Sequence, residues 1–315
     1  MALIEARGLA KTYGGKPAVQ DLSFEVRPGS VTGFLGPNGA GKSTTMRLML
    51  ELDHGPGSTT FDGKPFHALR QPMRHVGALL EAKPFHPTRK ARSHLLMLAA
   101  ANGVPASRVD EVLRLVGLTE VARKKPKTFS LGMGQRLGLA GALLGDPHTL
   151  ILDEPANGLD PQGIQWMRQF LKALAAEGRS VFVSSHLLSE MALLADQLVV
   201  IGRGRMISSG PVAGFIDAAS HKTVLVRTPQ ADDLRRLLAG RDGVGVDVRP
   251  DGAVTVTGLD AGAIGDLAFD NGVRLHELAP QAATLEEAFL AATEGDEEFH
   301  AAVLPPTPGR PEGPA

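Results

Sequence analysis

The sequence predicts an α/β protein with a largely parallel sheet, a helical insertion and a small α+β domain after it. Short β-branched apolar runs alternate with helical patterns over the first two thirds of the chain. Strand signals fade between about residues 87 and 145, and the composition changes past residue 210. Because 315 residues exceed the usual size of one domain, a large domain with a smaller appendage is expected.

Three apolar runs predict buried strands of the main sheet: VTGFL at 31–35, TLIL at 149–152 and SVFVS at 180–184. Each run is followed directly by a glycine or a polar residue. In α/β sheets ligands gather beyond the carboxyl ends of the strands, so functional residues are expected directly after these runs.

Helical patterns predict the inserted subdomain, at 91–101, 108–116 and 134–144. The later pattern has a βαββαβ order, which predicts a ferredoxin-like domain. Its elements are strand 223–227, helix 231–239, strand 243–248, strand 253–257, helix 261–269 and strand 273–277. We therefore expect a large domain at 1–215 with its insertion at about 87–145, an accessory domain at 216–298 and a disordered Pro/Gly tail at 299–315.

Composition narrows the classes of protein. The formal net charge is -1, which gives no sign of a nucleic-acid partner. The absence of cysteine excludes disulfides and thiolate metal sites. The sequence has neither the ~18 consecutive apolar residues of a spanning helix nor a secretory signal, so a cytoplasmic location is expected.

The segment GPNGAGKS at 36–43 fits the phosphate-loop pattern G-x-x-x-x-G-K-[ST], between strand 31–35 and a helix predicted over 43–50. Backbone N–H groups of such a loop surround phosphate oxygens, Lys42 reaches the β- and γ-phosphates and Ser43 holds Mg²⁺. ATP and Mg²⁺ are therefore expected. The predicted nucleotide-binding residues of the loop are Gly36, Pro37, Asn38, Gly39, Ala40, Gly41, Lys42, Ser43 and Thr44.

Two carboxylates follow the apolar strand 149–152. Ionised groups at the end of a buried strand are costly unless they meet a cation. Asp153 is therefore expected to hold the Mg²⁺ shell, and Glu154 to polarise the attacking water as the general base.

Over about residues 3 to 210 the chain resembles the ABC-superfamily ATPases, which implies a P-loop NTPase core of the RecA-like type. The segment FSLGMGQR at 129–136 resembles the signature usually written LSGGQ, and NGLD at 157–160 resembles the D-loop. The resemblance implies that Ser130, Gly132 and Asp160 contact nucleotide across a shared interface. It also implies that His186 contacts the γ-phosphate and that Tyr13 stacks on adenine.

Two departures from the family pattern matter. Glu81 stands where the family usually has glutamine, and its carboxylate can serve Mg²⁺; the alternative, that it is a solvated loop charge, stays open. In the signature, Leu131 replaces the first glycine and Met133 the final glutamine. These side chains stand where a close backbone approach to phosphate is expected.

The segments VGALLE, SLGMGQR and DEPANGLDPQGI are similar to an exporter branch that includes the bacitracin- and lantibiotic-resistance ATPases. This implies an ATP-hydrolysing motor that pairs with a second copy and acts on membrane permease subunits at the inner face of the cell membrane. Its cargo would be an unidentified substrate such as a peptide antibiotic or drug.

Two alternatives remain: a non-transport ABC ATPase of DNA repair or translation, and a regulatory module that holds ATP. The single phosphate loop and the lack of sustained heptads disfavour the first. The presence of Glu154 and His186 disfavours the second.

Overall fold

The computed structural model describes residues 3–81, 85–219, 223–281 and 284–293. The strands are β1 (Ile4–Tyr13), β2 (Lys16–Val26), β3 (Ser30–Leu35), β4 (Ser58–Phe61), β5 (Val76–Leu79), β6 (Thr149–Leu152), β7 (Ser180–Ser184), β8 (Gln197–Gly202), β9 (Arg205–Pro211), β10 (Thr223–Arg227), β11 (Gly245–Val248), β12 (Val254–Thr257) and β13 (Glu277–Gln281). The predicted tail at 299–315 lies outside the described residues.

The helices lie between these strands and after the last one. They are α1 (Lys42–Met49), α2 (Ala91–Ala101), α3 (Ala106–Leu115), α4 (Leu131–Ala142), α5 (Pro161–Ala176), α6 (Leu188–Leu194), α7 (Val212–Ala219), α8 (Ala231–Leu238), α9 (Ala261–Asp270) and α10 (Leu285–Thr293). None of the helices in the described part of the chain is long and apolar enough to span a membrane.

The main sheet has the strand order β5-β6-β7-β3-β8-β9. Its first five strands are parallel, and β9 runs antiparallel to β8. The strands predicted at 149–152 and 180–184 are confirmed, and β3 begins at Ser30. Because β6, β7 and β3 are neighbours and parallel, the residues after them meet at one edge of the sheet.

A smaller antiparallel sheet has the order β2-β1-β4 and packs on the main sheet through aromatic rings. The ring centroid of Phe24 lies 5.3 Å from that of Phe182 and 5.8 Å from that of Phe34. The turn between β1 and β2 contains Gly14 and Gly15, both with positive φ. The end of β1 carries Tyr13, whose side chain lines a cleft beside the phosphate loop.

The inserted subdomain contains α2, α3 and α4. Along α3 and its cap the residues Val109, Val112, Leu113 and Val116 are buried, which is the spacing of one helix face. The helix predicted to start at 134 begins at Leu131 instead. Ser130 provides the reason, because its hydroxyl accepts a hydrogen bond from the backbone N–H of Met133 and caps the helix.

The accessory sheet has the order β11-β12-β10-β13 and is antiparallel throughout. With α8 and α9 it has the βαββαβ order and strand arrangement of a ferredoxin-like domain, as predicted. The prediction of a last strand at 273–277 was wrong, since Val273 is buried ahead of the strand and β13 begins at Glu277. Pro280 masks this strand in the sequence; as β13 is an edge strand, the missing N–H is tolerated.

The last described helix, α10, packs on α6 and α7 of the large domain. Leu285 is buried within the main hydrophobic core, and Phe289 packs against that core. The chain therefore returns to the large domain after completing the accessory sheet.

Candidate functional site

The phosphate loop connects β3 to α1 in a conformation that requires glycine. Gly41 has φ 101°, and a Cβ atom there would collide with the carbonyl oxygen of Ala18. The loop lines a cleft of about 270 Å³ together with Asp153 and Glu154. All the predicted loop residues except Gly36 thus share one cleft with both predicted carboxylates.

Lys42 is buried beneath this loop. Its Nζ donates hydrogen bonds to the carbonyl oxygens of Gly36 at 2.7 Å and Pro37 at 3.3 Å. Burial lowers the pKa of Lys42, while the nearby charges of Glu154 and Asp153 act in the opposite direction. The ammonium therefore lies in a partly desolvated position where an anion would stabilise its charge.

Asp153 follows β6 and is hydrogen-bonded to residues at the start of α1 and at the end of β7. Its Oδ2 accepts a hydrogen bond from the Ser43 hydroxyl at 2.5 Å, and its Oδ1 accepts one from the Ser184 hydroxyl at 2.5 Å. Ser184 is the last residue of β7 and is fully buried. Ser184 was not predicted as a site residue; its place at the end of a predicted strand was the available signal.

Glu154 is fixed at both its backbone and its carboxylate. Its φ is 49°, and its backbone N–H donates to the Ser184 hydroxyl at 2.9 Å. Its Oε2 lies 2.6 Å from Nδ1 of His186. The predicted base and the predicted γ-phosphate sensor are therefore in direct contact.

Gln135 lies on α4, 2% exposed, beside the backbone of Glu154. Its Nε2 donates to the carbonyl oxygen of Glu154 at 3.5 Å, while its Oε1 has no hydrogen-bond partner among the described residues. This side chain was not predicted to belong to the site. A polar residue within an otherwise apolar helical pattern was the signal that could have indicated it.

Tyr13 is 48% exposed and lines a second cleft, of about 530 Å³. Asn38, Gly39 and Ala40 line both clefts, so the second cleft continues the first. The Tyr13 hydroxyl donates to Asp53 at 2.9 Å, which raises the pKa of Tyr13. An exposed aromatic ring therefore lines the cleft that adjoins the phosphate loop.

The signature and D-loop residues lie elsewhere. Ser130 caps α4, and Asp160 caps α5 by accepting a hydrogen bond from the N–H of Gly163 at 2.9 Å. A Cβ on Gly132 would lie 3.0 Å from Leu159, so the two segments pack on each other. Among the described residues that line the phosphate-loop cleft, none belongs to these two segments.

Glu81 is exposed just beyond β5, whose neighbour in the sheet is β6. The pKa of Arg47 is raised chiefly by its hydrogen bond to Asp53, and the charge of Glu81 adds to this effect. Glu81 thus lies at the same edge of the sheet as Asp153. Residues 82–84 of the segment next to it lie outside the described part of the chain.

A family model described as ABC transporter matches residues 19–157, and one described as a domain of unknown function matches residues 222–286. The bacitracin transport ATP-binding protein BcrA of Bacillus licheniformis is 40% identical over 213 residues, which cover 66% of this chain and 70% of that protein.

The chain belongs to the ABC transporter family. The lantibiotic transport ATP-binding protein SrtF of Streptococcus pyogenes is 37% identical over 206 residues, 65% of this chain and 89% of that protein. A solved ATP-binding subunit of an ABC transporter is 26% identical with a TM-score of 0.62, covering 69% of this chain and 92% of the other. The predicted ABC ATPase class, its P-loop core and the likeness to bacitracin and lantibiotic ATPases are confirmed.

Proposed function

We propose that this ABC ATPase hydrolyses ATP as a dimer of two copies and drives export through separate permease subunits, at the inner face of the cell membrane. The contact between Glu154 and His186 is the observation that carries this proposal. The carboxylate of Glu154, just after β6, is held by this contact and lines the same cleft as the phosphate loop.

ATP would bind along the two joined clefts. Its phosphates would accept hydrogen bonds from the loop N–H groups, and Nζ of Lys42 would exchange its loop carbonyls for β- and γ-phosphate oxygens. The adenine ring would stack on the exposed face of Tyr13. Lys11 Nζ lies 5.1 Å from the centroid of the Tyr13 ring, a cation–π contact that helps to hold the ring in place.

The oxygen atoms around Asp153 suit Mg²⁺. Ser43 and Asp153 converge within 2.5 Å, and both are hard oxygen donors. Ser43, Asp153 and Glu81 would hold the ion, which neutralises phosphate charge when bound. Among the described residues, no group of three or more His, Asp or Glu is placed to hold a metal ion by itself, and a phosphate-bound Mg²⁺ needs only one or two carboxylates.

Glu154 is the proposed general base. Its carboxylate accepts a proton from water as the water oxygen attacks the γ-phosphorus and the bond to the β–γ bridging oxygen breaks, which releases ADP and phosphate. Ser184 holds the backbone of Glu154, and His186 holds its carboxylate beside the γ-phosphate position.

A second copy would complete each site. The cleft lacks Ser130, Gly132 and Asp160, while the N-terminus of α4 is exposed at Ser130 and carries positive potential. Two copies facing each other would place this helix end at the other copy's γ-phosphate. The dimer would close when ATP binds and open after hydrolysis, and these movements would be passed on to the permease. We propose that the permease contacts the chain near residues 81–86.

The accessory domain at 216–298 is proposed to assist assembly rather than chemistry, with residues 1–215 forming the ATPase domain. The cargo is proposed to be a peptide antibiotic or a drug, because the similar proteins described above are ATP-binding proteins of bacitracin transport and of lantibiotic transport.

Phosphate release by a Glu154→Gln variant tests this function. The amide keeps the size of the side chain but cannot accept the proton, so turnover should fall by about 10²- to 10⁴-fold while Mg-ATP binding survives. Glu120→Gln, at an exposed position of the helical subdomain, is the matched control and should behave as wild type. Wild-type turnover in Glu154→Gln would refute the assignment of the base.

A further inference from the structure

A basic surface covers one side of the helical subdomain. Residues 85–92 and 122–127 lie side by side, joined by backbone hydrogen bonds from Ala91 to Lys124 at 3.1 Å and from Lys127 to Pro87 at 3.0 Å. This pairing brings six exposed cationic side chains together. We define the basic face by these residues: Arg89, Lys90, Arg123, Lys124, Lys125 and Lys127.

The charge of this face is local and is not neutralised. Residues 85–142 contain ten Lys and Arg but three Asp and Glu, in a chain whose net charge is -1. Two of those three carboxylates, Asp110 and Glu111, are in ion pairs with arginines outside the basic face. Within the described residues, none of the six cations forms an ion pair. The positive charge is therefore available to an external anionic partner.

We propose that the basic face binds the anionic lipid headgroups of the membrane surface. Four of its six residues are lysines, which are hydrated, flexible point charges suited to a diffuse negative surface rather than to one fixed partner. Each Lys or Arg near an anionic bilayer strengthens binding by about fivefold.

The surroundings favour lipid over nucleic acid or an acidic protein segment. Single-stranded nucleic acid is held by exposed aromatic rings, but Phe85 and Phe129 beside the face are partly buried against the main core. An acidic peptide is matched best by bidentate arginine, and the face has only Arg89 and Arg123. The face also begins next to residues 81–86, which we place against the permease and thus near the bilayer.

This inference rests on the proposed function, because it needs the chain to work beside a membrane. The full-length protein is sedimented with vesicles of phosphatidylglycerol and phosphatidylcholine, or of phosphatidylcholine alone. We expect binding to the anionic vesicles only, and a steep loss as salt is raised. Replacing Arg123, Lys124 and Lys125 with Ser should weaken binding on the order of 100-fold.

The matched control replaces Arg235, Arg236 and Arg241 of the accessory domain with Ser, which removes the same charge from another exposed surface. It should bind the vesicles as wild type does, and both triple variants should retain wild-type ATPase turnover. Lys42→Ala separates the two proposals, because it should lose turnover and keep vesicle binding.

Three results would overturn the lipid proposal. The protein could bind both kinds of vesicle equally, or the two triple variants could lose vesicle binding to the same extent. The third is that the triple variant of the basic face keeps vesicle binding and loses only its co-purification with the permease. Equally tight binding of a DNA oligonucleotide at the same salt would also overturn it, since the face would then be a general polyanion surface. Normal turnover in Lys42→Ala would instead count against the ATPase site.

Discussion

The carboxyl edge of the main sheet and the accessory sheet bury different kinds of side chain. At the edge of the main sheet the buried groups include Lys42, Gln135 and Ser184, each hydrogen-bonded to the loop or to a carboxylate-bearing residue. Among the described residues 223–281, every buried side chain is apolar. The charged residues of this region form exposed ion pairs, such as Arg227 with Asp251, whose Nη2 and Oδ2 atoms lie 2.9 Å apart.

This difference indicates how the two regions contribute. Desolvated polar groups cost stability and are retained where they hold a reacting group in place. An apolar core with paired surface charges provides a stable fold without such groups. Changes at the edge of the main sheet should therefore affect chemistry, whereas changes to the packing of the C-terminal region should affect stability.

The largest effect is expected at the phosphate loop. Lys42→Ala removes the charge that faces the transferred phosphate, so turnover should fall by about 10²- to 10³-fold. Unfolding by denaturant should change little. Lys172→Ala, an exposed lysine on α5, is the control and should keep wild-type turnover. Wild-type turnover in Lys42→Ala would show that the phosphate loop at this edge of the sheet does not take part in hydrolysis.

A packing change at α10 should give the opposite pattern. Leu285→Ala opens a cavity in the main core and should lower the free energy of unfolding by about 2 kcal/mol or more. Leu290→Ala, on the same helix but 57% exposed, should change it by less than about 0.5 kcal/mol. Equal denaturation midpoints for the two variants would show that α10 does not stabilise the large domain.

Ser184→Ala is expected to reduce turnover by about tenfold, because Asp153 loses one hydrogen bond and the N–H of Glu154 is left without its partner. Ser180→Ala, at the other end of the same strand and equally buried, controls for packing. Steady-state kinetics should show the loss in kcat, with KM for Mg-ATP nearly unchanged. Similar kinetics in both variants would make Ser184 a packing residue.

The smallest effect on purified protein is expected at Glu81. Glu81→Ala should weaken Mg-ATP binding by less than about threefold, because Mg²⁺ retains water and phosphate ligands. Transport in cells should suffer more if this carboxylate couples the metal to the permease. Normal transport together with normal binding would leave Glu81 as a solvated surface charge.

The local parts of the site could be predicted from the sequence because a strand, a glycine loop and a helix fix their own geometry. Strands 149–152 and 180–184 and the placement of Lys42 and Asp153 follow from such patterns. The contacts of Ser184 and Gln135 with residues 153–154 could not be predicted, because they depend on β7 lying beside β6 and on the packing of α4.

Two other features, the basic face and the position of strand β13, were not evident from the sequence. The net charge of -1 conceals the basic face, because acidic residues elsewhere offset it. The edge strand β13 contains Pro280, and the sequence pattern placed the last strand at 273–277 instead. Both required the tertiary arrangement before they could be recognised.

The most direct test of the shared ATP site is the mass of Glu154→Gln in solution, measured by light scattering after size-exclusion chromatography with and without Mg-ATP. In this variant ATP should persist, so the loop of one copy and Ser130 of the other should hold the dimer closed. We expect a dimer with Mg-ATP and a monomer without it, while Glu154→Gln combined with Lys42→Ala should remain a monomer. A hydrolysis-deficient Glu154→Gln that binds Mg-ATP yet stays monomeric, even with its permease present, would contradict the shared-site mechanism.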